Sequence, residues 1–416
     1  MSAFQVELHQ DLAAIEALAP AWRQLSAGSP TALPFNDVDW VLAFWRHLAR
    51  PGFVDQPCTP CVVTVHDHGR LAGIAALRIE TRTLPGTTVR VARWLAEGPS
   101  DYGDLLLERP SPVLVDALLE PLLQGPQACE LLDLRECRGD SPVLPLLRTV
   151  LQQRCTRLQD TPDSDCRVVP AAASYTAYAE AQFSAKRRKD FRREWRRLQE
   201  DGRYACQMRH RLPDVGAWAA EAGDVQASHP AAGRDRPGEF NHLHFSAFLR
   251  ELLRVGGERG WLRAAELRCD GRLDAYFLSW AYRGRYYVYN TAHRSEVQAV
   301  GGGKLVMLYM LQQLIDEGGG PVDFLRGAEA YKEVLSDAVV RNRRLQAVAP
   351  GARAAWAAKW WLDWLPRSAA TPGRRDRVLQ RLGRQGLQVT LADSAARLCH
   401  RLQQGVRCSG PRQPPE

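Results

Sequence analysis

The chain has 416 residues, 45% of them hydrophobic and 25% charged, with a formal net charge of +8. That length exceeds a single compact core and predicts two or three domains. No run of about 18 apolar residues occurs, which argues against a membrane-spanning helix. The start, Met1–Gln10, lacks the basic patch and apolar stretch of a secretory leader, so a cytoplasmic location is expected.

The charge is unevenly placed. Residues 351–416 hold 12 Arg and Lys against four Asp and Glu, which equals the whole excess, and a second basic focus lies at 186–203. The body is neutral, so charge does not mark the protein as a nucleic-acid binder, and no DNA partner is expected. Ten cysteines are scattered along the chain, and Cys58-Thr-Pro-Cys61 is the one close pair. With no second C-x-x-C, neither a zinc site nor a disulfide framework is expected, and no metal.

Residues 1–170 read as a mixed α/β unit. Leu12–Leu25 carries helical spacing with a kink or restart at Pro20. Asp37–Leu48 is a second helix with Asp37 as its N-cap. Cys61–His66, the turn Asp67-His68-Gly69 and Leu71–Arg78 form a hairpin. Val89–Leu95 and Asp104–Leu107 follow as strands around the turn-rich 97–103. Helices at Val113–Leu123 and Val143–Arg154 flank a strand at Glu130–Leu134. The Pro/Asp/Ser-rich stretch Gln159–Asp165 reads as a connector. No internal repeat is evident by letter.

Ser184–Gly202 is the best-defined helix, capped by Ser184 and ended by Gly202. Phe191, Trp195 and Leu198 form its apolar stripe. Eight Lys and Arg cover the rest, either as a solvated face or as an anion-facing surface for phosphates or an acidic substrate. From Leu262 a three-strand meander runs through Asp270-Gly271 and Arg283-Gly284 turns to Thr291. A polar loop with three glycines leads into a helix at Lys304–Glu317. A strand at Pro321–Leu325, a short helix at Glu329–Leu335 and a strand at Arg344–Val348 complete the unit.

Gln298-Ala-Val-Gly301-Gly302-Gly303 sits between a strand and a helix start. Such a loop offers backbone N–H groups and the positive end of a helix to one anion, and a pyrophosphate suits it. The Walker and Rossmann spacings are both absent. Gln298-x-x-Gly301-x-Gly303 resembles the loop by which GNAT-superfamily acyltransferases hold the CoA pyrophosphate. Phe35–Trp45, Ser100–Asp104, Ser184–Gly202, Asp270–Tyr276 and Asp323–Lys332 are similar to the CelD-like branch, related to FemAB-type tandem transferases. That branch often has a Ser-Pro-Gly type loop where this chain has Val300-Gly301-Gly302-Gly303.

The resemblance implies an α+β fold of tandem GNAT-like domains, each a mostly antiparallel mixed sheet flanked by helices. The domains are expected at 1–170 and at 171–350, the latter binding acyl-CoA, with a basic Trp-rich helical tail at 351–416. It implies acetyl-CoA or another acyl-CoA as co-substrate, held by Gln298, Gly301, Gly302, Gly303 and Lys304. Transfer is direct, to an amine or hydroxyl on a small molecule or saccharide such as a cell-envelope precursor.

Tyr331 is the first candidate acid for the departing thiolate, Glu329 and Asp323 are candidate bases, and Lys332 holds an anionic group. The bland alternative is that Tyr331 packs and Glu329 favours a helix start. Tyr287 and Tyr289 share a strand face where the family lines its acyl chain and acceptor. Tyr289, His293, Asp101 and Tyr102 are candidate substrate contacts, and His293 is a further possible base. In the tail, Trp356, Trp360, Trp361 and Trp364 form one aromatic face, docking on the protein or on a membrane surface, which would make the protein peripheral to the inner membrane. Two other readings stay open: a FemAB-like aminoacyl-tRNA-dependent transferase, and a non-catalytic CoA-fold module at a membrane.

Overall fold

The computed structural model describes residues 4–355 except 55, 85–86, 126–127, 229–237, 299, 328 and 352. The tail tryptophans lie outside the described residues. The first half runs β1 (Gln5–His9), α1 (Leu12–Ala17), α2 (Ala19–Gly28), α3 (Val38–Leu48), β2 (Cys58–Asp67), β3 (Arg70–Leu84), β4 (Thr87–Trp94), β5 (Leu106–Leu107), α4 (Pro112–Leu123), β6 (Leu131–Cys137), α5 (Val143–Arg154) and β7 (Arg157–Val169). The second runs α6 (Tyr175–Gln182), α7 (Ala185–Glu200), β8 (Tyr204–Arg209), α8 (Val215–Ser228), α9 (Leu243–Glu258), β9 (Leu262–Cys269), β10 (Arg272–Tyr282), β11 (Arg285–His293), α10 (Gly302–Gly318), β12 (Val322–Arg326), α11 (Ala330–Leu335) and β13 (Val339–Val348).

Local chemistry explains the boundaries. Pro20 sits in the first turn of α2, where its missing N–H has no helical partner to lose. Asp37 caps α3 by accepting from Asp39 N, and Ser184 caps α7 by accepting from Arg187 N.

All the strands join one mixed sheet in the order β1-β2-β3-β4-β6-β13-β7-β12-β11-β10-β9-β8, with β5 added on β3. The two halves of this order mirror each other. β4 pairs β6 in parallel, and β11 pairs β12 in parallel. At the centre, β13 follows the second half's helices yet pairs β6, while β7 follows the first half's helices and pairs β12. The halves have therefore exchanged their innermost strands, and β7 and β13 pair with each other over most of their length.

The reading of Gln159–Asp165 as a connector is corrected, because those residues form the middle of β7. Two of their carboxylates are paired with arginines. Arg343 and Arg148 bond Asp160, and Arg135 bonds Asp163. Pro162, which cannot donate to the ladder, sits opposite Arg343 where the pairing register shifts.

The fold also exposes a repeat in the letters. Gly69-Arg70-Leu71 turns β2 into β3, and Gly271-Arg272-Leu273 turns β9 into β10. Both turns have the same left-handed pair, His68 and Gly69 at φ 49° and 76°, Asp270 and Gly271 at 49° and 84°. Phe35-Asn36 and Phe240-Asn241 stand in matching 3-10 turns before α3 and α9. One apolar core, centred on Phe35, Trp40, Phe248, Trp280 and Tyr287, runs across both halves on one sheet face. On the other face each half has its own core, under α4 and α5 or under α6 and α10.

Candidate active site

The second half places a helix start beside a gap in the sheet. Gly301 caps α10 in the left-handed conformation, φ 69°, with no side-chain cap. The first helical bond is Leu305 N to Gly301 O, so the N–H groups of Gly302, Gly303 and Lys304 point out of the helix end without an intrahelical acceptor. β11 and β12 pair only at Tyr286–Val322 and Tyr287–Asp323, then part. Leu278 and Ser279 of β10 face Asn290 and Val288 of β11, so Tyr289 is the extra residue of a bulge.

The first half forms the roof of that gap. Tyr102 donates to Asp323 Oδ2 at 2.9 Å and Tyr289 to Pro99 O at 2.9 Å. Arg326 donates to Asp101 at 2.6 Å, to Gly98 O at 2.9 Å and to Glu136 at 3.3 Å. The equivalent gap between β4 and β6 is closed by the first half's own backbone. Gly103 bridges Cys137 and donates to Glu136 O at 2.8 Å. A Cβ on Gly103 would stand 2.1 Å from the Trp94 ring, so only glycine passes there.

No curated protein matches the chain. Residues 185–333 match the family model described as acetyltransferase (GNAT) domain. Over that span the second half is similar to a GNAT acyltransferase domain. Among solved structures, FemX superposes at a TM-score of 0.55, with 9% identity over 82% of this chain and 96% of that one. A protein of unknown function from Bacteroides thetaiotaomicron superposes at 0.50, with 11% identity over 83% and 100%. A tandem GNAT protein from the clavulanic acid biosynthesis pathway superposes at 0.42, with 15% identity over 84% and 100%. The FemX likeness covers 82% of the chain, so the shared fold extends well beyond residues 185–333.

Within this acyltransferase domain the expected loop residues come together. Gln298 is exposed and its carbonyl accepts from Gly301 N at 3.0 Å. Gly302 is glycine for packing: a Cβ there would lie 2.9 Å from both Leu267 and Val297. Gly303 lies against the His293 ring, where a Cβ would come to 3.1 Å. His293 thus sits at the loop. Lys304 pairs with Glu194 of α7 and lies over the Phe191 ring at 5.4 Å. Trp195 stacks on Tyr309 at 6.0 Å. The basic helix is thereby fixed beside the loop, with Lys186, Arg187, Lys189, Arg192, Arg193, Arg196 and Arg197 exposed.

Asp323 does not occupy the position of a working base. It is 0% exposed, and its oxygens take Tyr102, Leu325 N at 2.9 Å and Arg285 at 3.5 Å. Burial pushes its carboxyl up to about 6. With no surface it cannot meet an acceptor, and it joins the halves instead. Lys332 is likewise turned inward, donating to Arg326 O at 2.7 Å and pairing with Glu329 at 2.9 Å. Glu329 is exposed at the start of α11. Tyr331 is half-buried against Phe324, 6.0 Å between ring centroids, and burial raises its phenol well above the usual range.

Sequence reasoning missed Glu239. It opens the 3-10 turn between α8 and α9 and accepts from Asn290 of the bulge. The signal was present in the repeat, where Glu239-Phe240-Asn241 matches Pro34-Phe35-Asn36 and differs by a carboxylate.

Among the described residues no group of three or more His, Cys, Asp or Glu is placed to hold a metal. No described helix is long and apolar enough to cross a membrane. No disulfide joins the eight described cysteines.

Proposed function

We propose that the protein is an acyl-CoA-dependent N- or O-acyltransferase of the CelD-like branch, with acetyl-CoA as donor. The observation that carries this is the uncapped start of α10 at Gly302, Gly303 and Lys304, opening beside the parted strands β11 and β12. Three free N–H groups at the positive end of a helix suit a pyrophosphate, and the bulge at Tyr289 leaves a backbone N–H that suits a thioester carbonyl. Gln298 and Gly301 shape the loop. We assign residues 1–170 and 171–350 as the two units, with β13 completing the first unit's sheet. The acceptor enters below Asp101 and Tyr289, with a cell-envelope or saccharide precursor as the expected class.

Acetyl-CoA is expected to bind stoichiometrically in calorimetry. Bulky replacement of Gly302 would disturb packing, so Val300→Glu is the cleaner variant, because Val300 is 42% exposed. A carboxylate beside the pyrophosphate costs on the order of 1–2 kcal/mol, so affinity should fall about tenfold or more with an unchanged melting temperature. No heat with any acyl-CoA sinks the reading.

Tyr331 is the proposed acid for the leaving thiolate, with Glu329 beside it. Tyr331→Phe is expected to lower kcat about 100-fold while acetyl-CoA affinity stays within twofold. Unchanged turnover removes it from that role.

The exposed cations of α7 favour a second reading, a FemAB-like transferase taking an aminoacyl group from tRNA. That reading requires tRNA dependence with a steep loss of binding between low and moderate salt. A peripheral membrane contact through 351–416 rests on the tail tryptophans, which lie outside the described residues.

A further inference from the structure

We infer that the acyl group also arrives on an acidic carrier protein, as a phosphopantetheine thioester, and that this carrier docks on the outer face of α7. The inference rests on the acyltransferase reading of the site and names a further class of donor for it. At about 100° per residue, Lys186, Lys189, Arg192, Arg193, Arg196 and Arg197 fall on one face of α7, about 140° wide. All six are exposed, and they span about 16 Å at about 1.5 Å per residue. Phe191 and Trp195 point the other way, towards Phe183 and Tyr309. Among the described residues the ion pairs of α7 are Arg193 with Asp190 at 3.2 Å and Glu194 with Lys304. The other five cations of the face have no carboxylate.

Nearby cations of the same half are met. Arg263 holds Glu317, Arg268 holds Glu221 and Glu266, and Arg272 and Arg294 hold Asp274. The unmet charge is therefore gathered on one helix, and that helix borders the donor loop. Lys304 reaches Glu194 and lies over Phe191, and further along Tyr309 stacks on Trp195. The contacts keep one order along both helices, so the first turns of α7 lie at the end where α10 offers its free N–H groups. Beyond its pyrophosphate, coenzyme A carries a single phosphate monoester of about two negative charges, which one or two cations satisfy. A row of cations about 16 Å long matches an extended acidic surface instead.

The kind of surface follows from what the face lacks. A helix lying on lipid buries an apolar side, and the apolar side of α7 is packed in the protein, with no large hydrophobic residue exposed on it. A nucleic-acid strand takes a groove with exposed rings for its bases, whereas these cations stand on one convex helix whose rings point inward. An acidic helix of a folded protein needs neither. The arm of such a carrier is joined through one phosphate diester, which suits the N–H groups of Gly302, Gly303 and Lys304. The transfer balances. The acceptor nitrogen or oxygen attacks the thioester carbonyl carbon and gives up one proton. The C–S bond breaks, and the thiolate takes one proton and leaves on the carrier as a free thiol.

The test titrates the full-length protein by calorimetry with acetyl-CoA and with an acidic acyl carrier protein loaded with an acetyl group. The loaded carrier is expected to bind about tenfold more tightly than acetyl-CoA at low salt, and to lose that advantage as salt is raised. Lys189, Arg192 and Arg196 lie on the side of α7 away from Glu194. Changing all three to glutamate should weaken carrier binding about 100-fold, with acetyl-CoA affinity within about twofold and an unchanged melting temperature. Glutamine at the same three positions should give an intermediate loss. The two probes fail separately. No heat with acetyl-CoA defeats the donor reading on which this one rests. Acetyl-CoA binding without carrier binding, or carrier affinity unmoved by the three glutamates, overturns the docking inference. If the glutamates abolish binding of tRNA or of phosphatidylglycerol vesicles and leave the carrier unaffected, the face belongs to that partner and the inference falls.

Discussion

A chain ended after Asp337 is expected to lose the cooperative fold of both halves, although 337 of the 416 residues remain. The missing segment is β13, which is central to the sheet, hydrogen-bonded to β6 on one side and β7 on the other. It carries Leu345, Ala347 and Val348, each 0–1% exposed. Its removal strips two ladders at once and opens the core of the first half. It also takes Arg344 and Arg343 away from Asp133 and Asp160, which keep Arg93 and Arg148 as basic partners. The milder Leu345→Ala should cost about 2–5 kcal/mol, the usual loss for a buried leucine. Near-ultraviolet circular dichroism and urea unfolding read both variants. A truncated protein that melts cooperatively within a few degrees of the full chain would show that the exchanged strand is dispensable.

The second half was the more legible because its elements are local. Left-handed Asp270-Gly271 and Arg283-Gly284 pairs mark two hairpin turns in the letters alone, and the glycines before α10 mark a helix that cannot be capped by a side chain. β7 was illegible for the opposite reason. Its strand character comes from partners more than 150 positions away, since Thr161 pairs Arg344 and Val169 pairs Val322, and Thr161-Pro162-Asp163 carries every local sign of a turn. Asp323 misled in another way. A carboxylate after a strand looks catalytic in sequence, and only its burial against Tyr102 shows it to be a tie between halves. Glu239 was invisible because no local period marks a single carboxylate. Aligning Pro34-Phe-Asn36 with Glu239-Phe-Asn241 shows what sets it apart.

The same repeat shows how the openings of the two halves differ. Both halves descend through the same strands and helices, and each has parallel strands that part. In the first half Gly103 fills the opening, and α4 starts at Pro112, with Pro110 two residues before it, so one N–H of its first turn is missing. In the second half the opening is left free and glycine replaces proline. The loop that fills the first opening then serves as the roof of the second through Pro99, Asp101 and Tyr102. The first half's loop thus walls the opening in the second half, and the pairing of β7 with β13 joins the two halves.

Glu80→Gln is expected to be the most destabilising single change in the first half. Glu80 is 1% exposed on β3, between Arg78 at 3.0 Å, Arg82 at 2.5 Å and Arg93 at 3.4 Å. Burial alone would raise its carboxyl, but Arg93, Arg78 and Arg82 outweigh it and hold the group at about 2. Arg93 keeps Glu97 and Asp133 without it, and Arg78 keeps the carbonyls of Trp94 and Leu95. Even so, loss of the central anion leaves buried cations facing one another, a change that typically costs about 3–5 kcal/mol. The sign with pH follows from the lowered carboxyl. A group at about 2 in the fold and near 4.5 when unfolded contributes stability above pH 4.5 and loses it as pH falls towards 2. The difference between wild type and Glu80→Gln in urea unfolding should therefore be full at pH 7, of order 3 kcal/mol from the shift alone, and shrink steadily below pH 4.5. A gap that stays constant to pH 3 would assign the loss to packing, and the three arginines would then be held by their other partners rather than by Glu80.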